Sequence, residues 1–254
     1  MRPIRRKRSG PDTRNSTPLP KNHRGPRDAR LDRLVVRPAV HDDLRVIAHS
    51  HVALLPVGLF PSLGARFVRR WQRTFLDSRH GLGYVVVDTA APGDGIVGFL
   101  LGTTDQAAHM AALLTDRRTV ASLAVAGVGA LLCRPRVAAR LLRSRAWPWV
   151  RQLSRRRAAG APPNSSRPSP QVAVMIALAV HPEWRGSGLG ETLVARFVED
   201  ARHAGAGTAE LVTPTGPTGA ATFYERLGWE AGPYRQTRDG DGLRGYRLHL
   251  RDPE

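Results

Sequence analysis

Six residues, Arg185-Gly186-Ser187-Gly188-Leu189-Gly190, have the types and spacing to hold an anion. They follow nine uncharged residues, Val172–Val180, whose apolar character reads as a buried strand. After them Leu189, Leu193, Phe197 and Ala201 recur at four-residue spacing, which predicts an amphipathic helix ending near Gly205. A glycine-rich turn that opens a helix exposes unpaired backbone N–H groups at the positive end of the helix dipole. Such groups can bind a pyrophosphate, because glycine lets the phosphates approach the backbone. The glycine register does not match a dinucleotide fingerprint, and Glu191-Thr192 after Gly190 rules out the Gly-Lys-Ser/Thr end of a P-loop.

Positioning the cradle requires the flanking strand and helix, and a second segment points to what they belong to. Val180-x-Pro182-x-x-Arg185-Gly186-x-Gly188-Leu189-Gly190 resembles the coenzyme A pyrophosphate loop of the GCN5-related N-acetyltransferase (GNAT) superfamily. Ala220-Ala221-Thr222-Phe223-Tyr224, ending in Gly228-Trp229, resembles that superfamily's C-terminal element, a short helix stopped by glycine before a strand. Residues 34–39 followed by Asp42-Asp43-Leu44 resemble its opening strand and helix start. The resemblance implies an α/β (α+β) fold: a mixed, mainly antiparallel central sheet flanked by helices. Here a helical insertion stands between strands 3 and 4. Residues 34–254 are expected to form that domain, including the Arg-rich 105–170 insertion, and 1–33 are expected to form a disordered basic tail.

The resemblance further implies transfer of an acetyl group from acetyl-CoA to a primary amine by direct attack, with no metal. By position, Leu178, Ala179 and Val180 line the pantetheine arm. Arg185, Gly186, Ser187, Gly188, Leu189 and Gly190 hold the pyrophosphate, and Phe223 and Tyr224 complete the coenzyme site. Tyr224 matches the tyrosine that protonates the departing thiolate. Relatives often carry a glutamate on the strand equivalent to Val172–Val180, but this strand has no carboxylate. Asp105 and His109 are the candidates for the base, unless a water chain serves. His181 is expected to face solvent, and Pro217 stands where relatives have a polar residue that contacts the coenzyme.

The remaining elements expected are a strand at 34–37, helices at 42–52 and 62–76, and strands at 83–88 and 96–102 joined by the turn at 92–95. A further helix is expected at 120–132, and a strand at 208–212. The insertion is too long for a structureless loop. At 136–153 it combines Val137, Leu141, Leu142, Val150 and Leu153 with Arg136, Arg140, Arg143, Arg145 and Arg151, interrupted by Trp147-Pro148-Trp149. Residues 158–170 read as a Pro/Ser-rich linker.

Composition bounds the partners. The net charge of +18 concentrates in residues 1–30, with a surplus of +8, and in 106–170, with a surplus of +11. Only Lys7 and Lys21 among the 39 basic residues are lysine, the bias that a GC-rich codon usage would produce. The insertion has three readings: a lid or dimer surface, a pocket for an anionic acceptor such as a phosphorylated amino sugar, or weak contact with an anionic membrane surface through 117–157. A homodimer is compatible with the first of these. Two rival functions are an acyl-CoA-binding domain without catalysis, and a membrane- or nucleic-acid-associated protein acting through its basic segments. No zinc spacing or nucleic-acid-binding signature supports specific nucleic-acid recognition. With one cysteine, Cys133, no internal disulfide forms, which suits a cytoplasmic protein.

Overall fold

The computed structural model describes residues 30–91, 93–135, 137, 171–216, 220–236 and 240–250. The chain divides into two units, 1–32 and 33–254, and the second carries the sheet. The amphipathic pattern at 136–153, the linker at 158–170, Pro217 and nearly all of the basic tail lie outside the described residues.

Seven strands form one sheet in the order β1-β2-β3-β4-β5-β7-β6. They are β1 Leu34–Pro38, β2 Gly81–Asp88, β3 Ile96–Thr103, β4 Val172–Val180, β5 Thr208–Pro214, β6 Glu230–Gln236 and β7 Gly242–His249. Every pairing is antiparallel except β4 with β5. The helices are α1 Leu44–Leu54, α2 Leu59–Ser62, α3 Ala65–Leu76, α4 Gln106–Thr115, α5 Arg117–Leu132, α6 Leu189–His203 and α7 Ala221–Arg226. This is the expected mixed, mainly antiparallel sheet flanked by helices.

Each face of the sheet has its own core. On one face, Leu189, Leu193, Phe197 and Ala201 of α6 pack against Tyr84, Val86, Leu100 and Met175. Gly102 makes that contact close, since a Cβ there would lie 2.8 Å from the Phe197 ring and from the Val174 carbonyl. On the other face, Ile47 of α1 and Phe75 of α3 pack against Val85, Phe99, Leu101, Ala177 and Ala179. Burying this apolar area supplies most of the drive to fold.

The expected helix over 62–76 forms as α3, Ala65–Leu76, while Ser62 ends the separate short α2. Gly64 takes φ 89°, a left-handed conformation that ends α2 and opens α3. Strand β2 begins earlier than expected because Gly81 lets the end of α3 lie on it: a Cβ there would come 1.8 Å from the Phe75 carbonyl oxygen. Within the insertion, Asp105 caps α4 by accepting from the Ala108 N–H at 2.9 Å. Asp116 does the same for α5 from Arg118 and Thr119.

Candidate functional site

Strand β4 carries the site, and one irregularity shapes it. Leu101 pairs with Ala177 but Gly102 pairs with Met175, so Ile176 is an extra residue, a β-bulge. Strict alternation would put 173, 175, 177 and 179 on one face. The bulge moves the last two across. Ala173 and Met175 face α6, while Ala177 and Ala179 face α1 and α3. On the α1 and α3 side, β4 therefore presents alanine where a carboxylate could have projected.

The second feature is a fork. β4 pairs with β5 only from Val172↔Thr208 to Met175↔Leu211. Beyond that point β5 stays with β7 as far as Pro214↔Leu243, and β4 runs to Val180 with β3 alone. The ladder thus ends at the bulge, leaving the β5-facing backbone edge of 176–180 outside it. Such an edge offers N–H and C=O groups to an extended amide-bearing ligand.

Tyr224 stands at the crotch of the fork. It is 6% exposed, within ring contact of Phe223, Trp229 and Tyr246. Its hydroxyl lies 3.9 Å from the Met175 sulfur, on the last β4 residue still paired to β5. Burial pushes the phenol well above its ordinary value, so it stays protonated through neutral pH. Gly228, at φ 80°, ends α7 and turns the chain so that Trp229 packs beside Tyr224.

The glycine loop closes the outer end of the fork. After a single turn of 3-10 helix, Pro182–Trp184, the chain passes through Gly186 at φ 72° and Gly188 at φ 87° into α6. A Cβ on either glycine would meet nothing within 4 Å, so the backbone conformation is what demands glycine there. Gly188 is the N-cap, and no side chain caps the helix. The first-turn N–H groups of this 15-residue helix therefore face outward with the positive dipole end. The Ser187 hydroxyl donates to the Trp184 carbonyl at 2.5 Å, and Arg185 Nε reaches the Val180 carbonyl at 3.4 Å. Gly190 serves packing instead: a Cβ there would sit 3.3 Å from the Phe223 ring. Leu178, Val180 and Phe223 are half-buried along the same core. Of the residues expected to hold a coenzyme, Leu178, Val180, Leu189, Phe223 and Tyr224 share the α6 face of the sheet, Ala179 turns its side chain to the other face, and 185–188 form the loop between β4 and α6.

Asp105 and His109 belong elsewhere. They follow β3, which occupies the edge of β4 opposite the fork. The Asp105 carboxylate caps α4, while the His109 ring is buried and stacked 4.8 Å from Phe75. Burial and then the nearby His80 lower the His109 imidazole below its ordinary value. His109 Nδ1 has no partner among the described residues. His181 is exposed, with Nδ1 4.0 Å from Glu183. No group of three or more potential metal ligands occurs among the described residues. No helix described is long and apolar enough to cross a membrane.

Sequence reading passed over a buried polar pair on the α1 and α3 face. His51 of α1 is 5% exposed and stacks on Phe99, with Gln72 of α3 bonded to its Nδ1 at 3.3 Å. Burial pushes the His51 imidazole down to about 4. The native ring stays neutral while the unfolded one protonates near pH 6.5. Its stabilisation is thus complete above about pH 6.5 and lost as pH falls toward 4, amounting to about 3 kcal/mol. Urea unfolding between these pH values should show that loss, and His51→Leu should flatten it. An equally steep profile in the variant would put the dependence on other groups.

The geometry can be set beside known proteins. The acetyltransferase (GNAT) family model matches residues 154–229, the stretch holding β4, the loop, α6, β5 and α7. The resemblance carried by the loop and by the Phe223-Tyr224 element is thereby borne out. A GCN5-related N-acetyltransferase from Kribbella flavida aligns over 86% of this chain and 99% of its own, at TM-score 0.52 and 14% identity. Arabidopsis thaliana NAA60, solved in complex with acetyl-CoA, aligns over 85% and 98%, at 0.52 and 11%. Ard1 from Thermoplasma volcanium aligns over 87% and 99%, at 0.50 and 12%. At such identities these likenesses show the fold. No curated protein matches the sequence.

Proposed function

We propose that this chain, with the GNAT fold and a GNAT family match over residues 154–229, is an N-acetyltransferase that uses acetyl-CoA. The observation that carries this reading is the fork, closed by an uncapped helix N-terminus at one end and holding a protonated tyrosine at the other. Acetyl-CoA supplies a thioester carbonyl for an acceptor amine to attack, the C–N bond forming as C–S breaks. The backbone of 178–180 holds the pantetheine amides, the N–H groups of 187–190 hold the pyrophosphate, and the Arg185 side chain, whose own backbone N–H donates to the Pro182 carbonyl, adds charge. Tyr224 donates its proton toward the departing sulfur. The ammonium proton of the acceptor goes to solvent through water, since the Asp105 carboxylate caps α4 and the His109 ring is buried against Phe75.

The acceptor is a small amine. The arginine surplus of 106–170 favours an anionic one, such as a phosphorylated amino sugar. The test is CoA thiol release from acetyl-CoA with amino-sugar phosphates, their unphosphorylated forms and peptide N-termini. Turnover should favour the phosphorylated sugars, with KM rising as salt is added. Salt-independent KM values, or equal turnover of the unphosphorylated forms, would remove the anionic-acceptor reading. The lack of a carboxylate on β4 favours one alternative, an acyl-CoA-binding domain without catalysis. Coenzyme binding without thiol release from any amine would select it.

A further inference from the structure

The outer face of α5 is apolar and has nothing covering it among the described residues. From Thr119 to Cys133 no residue is charged. Leu123 and Gly127 turn toward α3, where a Cβ on Gly127 would lie 3.5 Å from the Phe67 ring. Arg70 of α3 donates to the Ser122 carbonyl at 3.2 Å across the same seam. The opposite face carries Ala121, Val125, Val128 and Leu132, whose spacing of four, three and four residues makes one stripe. Val125 is 69%, Val128 57% and Leu132 79% exposed. Six of the eleven exposed large apolar side chains among the described residues lie on α4 and α5. That concentration separates this face from ordinary scattered surface hydrophobics.

The charge around the stripe is predominantly positive. Arg117 and Arg118 begin α5, and Arg134 follows it, donating to the Ser62 carbonyl at 2.6 Å. Arg66, Arg69 and Arg70 are exposed on the adjacent α3, where Arg73 pairs with Asp77 at 3.1 Å. Asp116 is the only carboxylate on or between α4 and α5, and residues 117–170 contain twelve arginines and no acidic residue. An occupant of this face must be apolar at its centre and anionic at its rim. A second copy of the chain would set arginines against arginines. A nucleic acid would satisfy the arginines but leave the stripe in water.

We propose that this face docks on an anionic lipid bilayer. α5 lies in the interface with Val125, Val128 and Leu132 at the acyl boundary, while the flanking arginines reach lipid phosphates through their apolar stems. Such an interfacial helix differs from a spanning one in needing only one apolar face. This inference is independent of the acetyl-transfer reading, because its test uses no enzymatic activity.

The test is co-sedimentation of the full chain with phosphatidylcholine vesicles, with and without phosphatidylglycerol. A variant carrying Val125→Gln, Val128→Gln and Leu132→Gln keeps the charge and, since all three are exposed, the core. The expected result is binding to the phosphatidylglycerol vesicles and roughly tenfold or greater weakening in the variant. Circular dichroism and thermal unfolding of the variant should match the parent. No binding to either vesicle would overturn the proposal. So would binding that the three glutamines leave intact but salt abolishes, which would assign it to arginines alone. A concentration-dependent dimer dissolved by the same substitutions, without vesicle binding, would make a second copy the occupant.

Discussion

Gly188→Glu is expected to weaken acetyl-CoA binding by roughly 100-fold or more, about 3 kcal/mol, in titration calorimetry. Gly188 holds φ 87° as the N-cap of α6, so any side chain costs about 1–2 kcal/mol of backbone strain. The glutamate also brings a carboxylate to the N–H groups proposed to bind the pyrophosphate, where its charge repels the ligand. Gly188→Ala separates the two effects. With the same strain and no charge, it should unfold at a lower temperature yet bind far better than the glutamate variant. If both variants bound acetyl-CoA as tightly as the parent, the loop would not be the coenzyme site.

Tyr224→Phe is expected to lower kcat by about 100-fold while changing the KM for acetyl-CoA by no more than about twofold. The substitution keeps the ring among Phe223, Trp229 and Tyr246, and the lost hydroxyl has only a long contact, 3.9 Å, to the Met175 sulfur. Stability should therefore fall by less than about 1 kcal/mol. Because burial keeps the phenol protonated, Tyr224 should not supply the alkaline limb of the pH–rate profile. An unchanged kcat would reduce Tyr224 to a packing residue.

The loop and the helix after it were legible because their signals are local. Glycines at 186 and 188 take positive φ, and the four-residue stripe of α6 is buried as its spacing implies. The Phe223-Tyr224 segment was equally readable, being one short helix closed by a glycine. What escaped depends on pairing between distant residues. In a strand as uniformly apolar as Val172–Val180, nothing in the one-dimensional pattern betrays a bulge at Ile176 or the face on which each alanine lands. The fork exists because β5 continues to Pro214 alongside β7, and β7, with Arg244 and Arg247 among its residues, was not read as a strand at all.

The His51 and Gln72 pair did have a signal. His51 continues the buried stripe of Leu44, Ile47 and Ala48, and Gln72 lies between Val68 and Phe75 on the inner side of α3. A polar residue on an apolar stripe predicts a buried partner, and each of these is the other's. For the base, the geometry of Asp105 as a helix cap follows from its place before an apolar helical run. What no sequence pattern carries is which edge of β4 the segment after β3 occupies.

The central claim is that acetyl-CoA lies along β4 in the fork, with its pyrophosphate at the start of α6. Amide hydrogen exchange with and without acetyl-CoA tests it most directly, because it reports where backbone N–H groups gain protection. The account predicts protection confined chiefly to residues 177–180 and 185–191. Binding that protects only other segments, such as 106–132, or an exchange pattern unchanged at saturating acetyl-CoA, would contradict it.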